Sequence, residues 1–184
     1  MIVKGHDFPN VTLVGVLAAD MSLYSDDYRS GERTFQLLTQ AAGRAGRGRS
    51  PGEVVIQTYS PEHYSIQMAA RQDYEGFYEK EMNYRDLMGY PPASQLMAVL
   101  MTGADEVRLA TAAEYLKKYA VRVNTGEEIQ VIGPASPSVG KVNDVYRKVL
   151  YLKSREYKEL VWIKKSYGTL YRDQQRICGH ENTV

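Results

Sequence analysis

The sequence predicts an α/β protein that begins with a parallel βαβ unit and continues through a helical segment into a second, smaller α/β unit. Three patterns predict the first part. Residues 11–19 form a near-continuous apolar run of strand length, which is typical of a strand buried on both faces of a parallel sheet. Residues 32–42 carry apolar side chains at helical spacing, and residues 53–59 form a β-rich run. Strand, helix and strand in this order predict a right-handed crossover.

The first unit, predicted to span residues 1–60, contains too little sheet to be complete. A pair of strands is marginally stable by itself in water, so we expect the rest of a larger lobe to pack against it. Ligands of parallel sheets bind outside the carboxyl ends of the strands. In this unit, the carboxyl end of the first strand is Ala18–Asp20.

Residues 61–89 are predicted to form a helical linker. Pro61–Glu62 suits the first turn of a helix, where a missing N–H is harmless and an acid is favoured. Gly89, followed closely by Pro91, suits its end. We also expect a break in this segment around Gln72–Asp73.

The third segment, residues 90–184, is predicted to be a small α/β domain. Its expected elements are a strand at 96–101, a helix at 105–123 capped by Asp105, strands at 129–132 and 144–152, and a helix at 156–165. This order is a split βαβ layout without its last strand. Because the tail after about residue 166 shows no apolar alternation, we expect it to diverge and leave an open sheet edge. Trp162 is predicted to pack in the core and Lys153 to lie on a solvated helix face.

One short motif carries most of the functional information. Gln40, Arg44 and Arg47 are spaced at i, i+4 and i+7, which would place them on one face of a helix. Gly43 and Gly46 stand between them and allow a ligand or another backbone to come close. Planar guanidinium donors on such a surface are suited to clamping phosphate oxygens. The alternative is a basic helix end that stabilises the helix dipole.

A second motif at the start of the chain leads to a family resemblance. The segment Lys4-Gly5-His6-Asp7-Phe8-Pro9 runs into the apolar strand and resembles motif V of superfamily 2 helicases, while residues 40–47 resemble their motif VI. The two motifs together resemble those of the primosomal replication-restart helicase, also called primosomal protein N′. The resemblance continues through residues 28–33, 52–58 and 85–92 and fades near residue 166.

The resemblance implies that residues 1–60 are the end of a second RecA-like helicase lobe in an enzyme that moves 3′ to 5′ on DNA. Arg47 would then be the arginine finger, Arg44 a second cation facing phosphate, and Gln40 a bridge between the nucleotide and neighbouring motifs. Gly5 and Asp7 would belong to a loop that couples the nucleotide to DNA. ATP and magnesium would be held mainly by a lobe that this chain lacks.

The resemblance also implies contacts with DNA and with proteins of the primosome. Lys4 and His6 would lie near the DNA backbone. A basic-aromatic cluster in the third segment consists of Lys141, Tyr146, Arg147 and Lys148. Basic groups that follow phosphates beside a stacking ring are typical of single-strand binding, and in the family this domain helps to bind branched DNA and single-stranded-DNA-binding protein. An equally weighted alternative is an exposed strand whose cations prevent aggregation.

Several motifs of a complete helicase do not occur in this sequence. It has no phosphate loop and no Asp-Glu-x-His box, and phosphoryl transfer needs a nucleotide cradle and a metal. We therefore expect no ATP hydrolysis by the isolated chain. The zinc-binding cysteines of the family would lie upstream, since Cys178 is the one cysteine here. Two alternatives remain open: a free-standing DNA- or protein-binding module, and a scaffold contact for a primosome partner.

Composition and charge indicate which partners and which cellular compartment to expect. The formal net charge of +1 argues against a chain that is basic overall, although a local basic patch can still bind nucleic acid. The sequence contains no apolar run of membrane-spanning length and does not begin like a signal peptide. A single cysteine fits a reducing compartment. We therefore expect a cytoplasmic protein without a membrane partner.

Overall fold

The computed structural model confirms a mixed α/β fold and divides the chain into two compact units, Met1–Tyr84 and Arg85–Val184. The structure describes residues 10–46, 51–124, 126 and 128–180. The elements that begin in the first unit are β1 (Leu13–Val16), a 3₁₀ helix (Ala19–Ser22), α1 (Ser30–Ala42), β2 (Glu53–Ile56), α2 (Tyr64–Arg71) and α3 (Tyr74–Met88). Those of the second are β3 (Gln95–Gly103), α4 (Glu106–Val123), β4 (Gln130–Ala135), β5 (Lys141–Val142), β6 (Val145–Ser154) and α5 (Tyr157–His180). None of the helices in these ranges is long and apolar enough to cross a membrane.

The first unit contains the predicted strand–helix–strand sequence. β1 and β2 pair in parallel, with Leu13 opposite Glu53, and α1 connects them. Phe35 and Leu38 of α1 belong to the core cluster against which one face of the strand pair packs. On the other face Leu13 is 60% exposed and Val55 is 52% exposed. The expectation of strands buried on both faces is therefore wrong for the part of the chain that the structure describes.

The predicted helical segment is two helices with the predicted break between them. Gln72 follows α2 in the left-handed conformation, at φ 54°, and α3 starts two residues later. Both helices contribute to the core of the first unit, where the Phe77 ring stacks on Phe35 with centroids 4.2 Å apart. The boundary between the two compact units falls after Tyr84, inside α3. The predicted limits of the three domains stay a prediction.

A buried polar contact joins α2 and α3 at the start of α1. The Tyr64 hydroxyl donates to Glu81 Oε2 at 2.7 Å, and Glu81 is buried. A Cβ on Gly31 would lie 3.0 Å from each of these two oxygens, so a glycine lets α1 begin this close to them. Burial first, and then the bond to Glu81, raises the pKa of Tyr64. The start of α1 therefore packs closely against both of the helices that follow it.

The second unit is a four-stranded antiparallel sheet covered on one face by α4 and α5. The strand order is β3-β6-β4, and β5 forms a hairpin with β6. Because β6 is antiparallel to both neighbours, β3 and β4 run in the same direction with β6 inserted between them. Leu150 and Leu152 of β6 form the core with Ala120 of α4 and Ile163 of α5. Leu150, Leu152 and Ile163 are all 0% exposed.

Several details of the second unit differ from the sequence analysis. α5 reaches His180, well beyond the predicted end at Lys165. Trp162 is 46% exposed; the prediction that it packs in the core is wrong because α5 directs Ile163 there instead. Lys153 was expected on a helix, but it lies in β6 and is buried. The short strand β5 was not predicted.

Candidate functional site

The arginine motif lies at the end of α1 and in the turn that follows, Gly43–Gly46, here called the arginine turn. The Arg44 N–H donates to the Ala41 carbonyl at 3.0 Å. Gln40 is exposed in the last helical turn, and Arg44 is half-buried in the arginine turn. Because α1 ends before Arg44, Gln40 and Arg44 do not lie on one helical face. Arg47 lies outside the described residues.

The two glycines of the arginine turn have different roles. Gly46 has φ 72°, and its N–H donates to the Val11 carbonyl at 2.9 Å. A Cβ on Gly46 would lie 2.8 Å from the Gly52 nitrogen. A Cβ on Gly43 would meet nothing closer than 3.6 Å. The close approach expected at both glycines therefore occurs at Gly46 alone, and the neighbour is the backbone of this chain.

The arginine turn lies at the amino ends of the two strands. Val11 precedes β1 and Gly52 precedes β2, and both contact Gly46. The expected ligand end of the strands, Ala18–Asp20, is therefore at the opposite end of β1 from Arg44. The four candidate residues of the N-terminal motif lie outside the described residues: Lys4, Gly5, His6 and Asp7. They immediately precede the described segment that bonds to the arginine turn.

Asp20 follows β1 and is hydrogen-bonded to the residues that follow β2, at the carboxyl ends of both strands. This buried carboxylate accepts hydrogen bonds from the Thr58 hydroxyl at 2.6 Å, the Tyr59 N–H at 2.8 Å and the Ser60 N–H at 3.1 Å. The bonds from Thr58 first and Tyr59 second hold the pKa of Asp20 below its usual value. Since its oxygens already accept from the chain that follows β2, Asp20 joins the ends of the strands. The position of Asp20 at the end of the first strand is readable from the sequence, but these hydrogen-bond partners are not.

The predicted basic-aromatic cluster lies on the β5–β6 hairpin. Lys141 lies directly opposite Tyr146 in the β5–β6 ladder. Its ammonium group is 4.8 Å from the centroid of the Tyr146 ring and 2.9 Å from Asp144 Oδ1. Lys148 donates to the Ser136 hydroxyl at 2.9 Å. Since side chains alternate along a strand, Lys141, Tyr146 and Lys148 share one face of the hairpin. Arg147 is on the other, so three of the four predicted residues are brought together.

A cleft of about 550 Å³ in the second unit has a buried lysine in its wall. The Lys153 ammonium donates to the Met88 carbonyl at 2.9 Å and lies 3.8 Å from the centroid of the Tyr90 ring. Burial lowers the pKa of Lys153. This arrangement was not predicted, although Lys153 continues the apolar strand 149–152 and could have been assigned to it. The carbonyl and the ring together compensate the buried charge.

The charged side chains of the two candidate regions, the arginine turn and the β5–β6 hairpin, can be compared with the requirements of a metal site. The part of the chain that the structure describes contains no group of three or more histidine, cysteine, aspartate or glutamate side chains arranged to hold a metal ion. Arg44 and the hairpin lysines are instead donors that suit phosphate oxygens.

Comparisons with known proteins identify relatives of this chain. The family model of the primosomal protein N C-terminal domain matches residues 86–170. The replication restart protein PriA of Bacillus subtilis (strain 168) is 45% identical over 172 residues, which cover 94% of this chain and 21% of that protein. The PriA of Synechocystis sp. is 39% identical over 83% of this chain and 18% of its own length.

A third relative, the PriA of Rickettsia felis, is 34% identical over 89% of this chain and 25% of its own length. The matches thus span both compact units, whereas the chain spans only about a fifth of the length of the first two relatives. The arginine turn and the β5–β6 hairpin both lie within a chain that matches these proteins almost throughout. The chain belongs to the family of the replication restart protein PriA.

Proposed function

We propose that this chain supplies the C-terminal part of an ATP-dependent 3′–5′ DNA helicase that acts in primosome assembly and restarts stalled replication forks. Family membership supports the role in replication restart. The helicase role rests on the two motifs of the first unit. In this proposal Arg47 is the arginine finger, Arg44 the second cation and Gln40 the bridge to neighbouring motifs.

The observation that carries the proposal is the hydrogen bond from the Gly46 N–H to the Val11 carbonyl. It joins the arginine turn to the chain that directly follows the Lys4–Pro9 motif. A guanidinium that neutralises phosphate must be held by a backbone that does not drift. The same bond would carry a displacement of the arginine turn to the segment proposed to touch DNA, where Gly5 and Asp7 form the coupling loop.

ATP and magnesium would be held mainly by residues that this sequence does not contain, as the absent phosphate loop requires. The arginines fit the phosphate groups of ATP because they are planar, permanently charged donors. ATP hydrolysis would supply the energy for movement, and this chain would supply charge neutralisation and its transmission to DNA. Removing an arginine finger lowers turnover by roughly 10³ to 10⁵ in enzymes that use one.

The uncovered face of the β1–β2 pair supports the assignment to an incomplete RecA-like lobe. Leu13 and Val55 are exposed on this face, and Leu17 beyond it is 78% exposed. In parallel sheets of α/β proteins both faces are normally covered. We propose that the remaining part of the lobe covers these side chains in the longer protein.

DNA contacts are proposed in both compact units. Lys4 and His6 would meet the backbone near the motif V loop. On the β5–β6 hairpin, Lys141, Tyr146 and Lys148 form one surface suited to a single strand, with Arg147 reaching from the other face. The proposed partners are branched or single-stranded DNA, single-stranded-DNA-binding protein and other primosome proteins.

The test is a chimeric protein in which this chain replaces the matching part of the Bacillus subtilis relative. We expect DNA-stimulated ATP hydrolysis and unwinding by the chimera, and a loss of about 10³ or more in turnover on Arg47→Ala. Arg71→Ala, at an exposed arginine of α2, is the matched control and should leave turnover unchanged. Equal turnover for the two variants would contradict the assignment of the arginine finger.

A second candidate function is a DNA- or protein-binding module without ATPase activity. The exposed surface of the hairpin favours it, since that surface lies wholly within the second unit. The isolated chain would then bind single-stranded DNA with an affinity that falls steeply with salt, and Lys141→Ala would reduce the salt slope by roughly 0.7. Lys118→Ala on the exposed side of α4 is the control. An affinity that does not respond to salt would favour the scaffold alternative.

A further inference from the structure

We propose that Gly52 is a positioning residue for the arginine turn, which packs against its backbone so that the guanidinium groups meet phosphate at a fixed point. A Cβ on Gly52 would overlap the Gly46 nitrogen and lie 2.7 Å from the Ala45 Cβ. These contacts are closer than packed atoms allow, so the arginine turn can occupy its place only beside a glycine. The functional part of this inference rests on the proposed helicase role.

Two neighbouring carbonyls hold the arginine turn and β2 beside each other. The Val11 carbonyl accepts from the Gly46 N–H at 2.9 Å, and the Thr12 carbonyl accepts from the Glu53 N–H at 2.7 Å. The first bond fixes the last residue of the arginine turn, and the second fixes the first residue of β2. Gly52 directly precedes Glu53, so both bonds hold its backbone against the arginine turn.

Space, and not backbone conformation, is the reason for a glycine at position 52. Gly46 has a positive φ, whereas Gly52 does not. An alanine at position 52 would therefore keep ordinary dihedral angles and act by pushing the arginine turn away. Gly15 in β1 is the matched comparison, because a Cβ there would meet nothing within 4 Å. The same chemical change thus has opposite surroundings at these two positions of one strand pair.

A displaced arginine turn should affect the rate of the chemical step more than the binding of nucleotide. The guanidinium groups of Arg44 and Arg47 would neutralise charge that develops on phosphate, and such groups act best when they are preorganised. A displacement of about 1 Å can lower turnover by roughly 10². Since ATP would be held mainly by residues outside this chain, the KM for ATP should change little.

The first test uses the isolated 184-residue chain and does not depend on helicase activity. In the unaltered chain, nuclear Overhauser contacts should join the backbone protons of Gly46 and Gly52. Gly52→Ala should speed hydrogen exchange of the Gly46 amide by about tenfold or more, because the arginine turn is pushed away from Val11. Gly15→Ala should leave that exchange unchanged, and the α2 amides should exchange equally in all three chains.

Three results of this first test would overturn the positioning role. They are missing Overhauser contacts in the unaltered chain, unchanged exchange of the Gly46 amide in Gly52→Ala, and a loss of α2 protection in the same variant. The last result would mean that the first unit unfolds as a whole, so that Gly52 is required for the fold and not for the place of the arginine turn.

The second test uses the chimeric protein introduced above. Gly52→Ala should lower kcat for DNA-stimulated ATP hydrolysis by about 10² and leave the KM for ATP within about twofold of its original value. Met68→Ala, which removes a buried side chain from the core of the same unit, controls for lost stability. It should leave kcat unchanged at temperatures below its unfolding midpoint.

The outcomes of the second test separate this inference from the proposed function. If Arg47→Ala lowers turnover and Gly52→Ala does not, or if Gly52→Ala and Met68→Ala lower it equally, the positioning role fails and the arginine finger stands. If Arg47→Ala has no effect, the arginine finger fails, and the first test alone decides whether Gly52 holds the arginine turn in place.

Discussion

The two units of this protein build their sheets in opposite ways. In the second unit, two helices cover one face of a four-stranded antiparallel sheet, and Leu150 and Ile163 are completely buried between them. In the first unit, a two-stranded parallel pair packs on α1 with one face and exposes Leu13 and Leu17 on the other. Each unit holds a core cluster of its own. The first unit differs in that the open face of its strand pair leaves apolar side chains such as Leu13 and Val55 exposed.

Core substitutions should show this difference most strongly. Leu150→Ala in the second unit removes a side chain that is 0% exposed, and we expect a loss of about 2–5 kcal/mol in the free energy of unfolding. Leu13→Ala in the first unit removes a side chain that is 60% exposed, and we expect a change within about 0.5 kcal/mol. Urea denaturation measures both, followed by Trp162 fluorescence for the second unit and by hydrogen exchange for the first.

The same pair of substitutions tests whether the first unit is incomplete. In the chimeric protein described above, the remainder of the lobe is proposed to cover Leu13. Leu13→Ala should then become a core substitution, with an expected loss of about 2–5 kcal/mol, whereas Leu150→Ala should keep its effect. If Leu13→Ala remains neutral in the chimera, the exposed strand face is an ordinary solvent surface.

The next largest effect is expected at the arginine turn. Gly46→Ala places a Cβ at φ 72°, which costs about 1–2 kcal/mol, and also 2.8 Å from the Gly52 nitrogen. We expect an overall loss of about 2 kcal/mol or more. Gly43→Ala, at φ −65° with space around it, should instead stabilise by about 0.4–1 kcal/mol. Hydrogen exchange of the α1 amides measures both.

Gly46→Ala and Gly43→Ala should also differ in their effects on ATP hydrolysis. If the bond from Gly46 to Val11 transmits movement of the turn, Gly46→Ala should lower the DNA stimulation of ATP hydrolysis in the chimera more than its basal rate. Gly43→Ala should leave the ratio unchanged. Equal effects on the two rates for Gly46→Ala would mean that the turn is required for stability and does not couple the two activities.

A smaller effect is expected at a helix cap that the sequence identified. Asp105 Oδ1 accepts from the Arg108 N–H at 2.9 Å at the start of α4, which confirms the predicted cap. Asp105→Ala should lower the stability of the second unit by about 1 kcal/mol, and Asp105→Asn by less, because asparagine caps nearly as well. Trp162 fluorescence in urea measures the difference. A second unit that loses nothing on Asp105→Ala would show that α4 is held by its packing alone.

These contrasts also show how far the sequence could be read. Local chemistry predicted the Asp105 cap and the break at Gln72, since each depends on neighbours within one or two turns. It also predicted the strand–helix–strand order, because apolar periodicity is a property of short segments. The end of α1 before Arg44 was less readable, because a glycine pair permits both a continued helix and a turn.

The misreadings arose where tertiary packing decides. A charged lysine such as Lys153 ordinarily lies in solvent. Its burial here is compensated by the carbonyl of Met88 and the ring of Tyr90. Trp162 is apolar enough for a core, yet Ile163 next to it takes that place. The face of a strand that remains open also depends on chain that lies elsewhere. No short window of sequence contains such information.

The smallest effect concerns a histidine cap in the first unit and its dependence on pH. His63 Nδ1 accepts from the Ser65 N–H at 3.2 Å at the start of α2, which requires an unprotonated nitrogen. Burial lowers the pKa of His63 below 6.5, and it outweighs the opposite influence of Glu81 and Asp20. The folded state therefore binds the proton less readily than the unfolded state, so stability is complete above 6.5 and declines as the pH falls below it.

His63→Asn separates this effect from other titrations. Asparagine is a good cap that does not titrate in this range. Between about pH 7 and pH 5 the unaltered first unit should lose more stability than the variant, as measured by hydrogen exchange of the α2 amides. The second unit, followed by Trp162 fluorescence, should show the same pH dependence in both proteins. If the stability of the first unit falls equally with pH in the unaltered chain and in His63→Asn, His63 is not the titrating group. The acid sensitivity of this unit then belongs to its carboxylates.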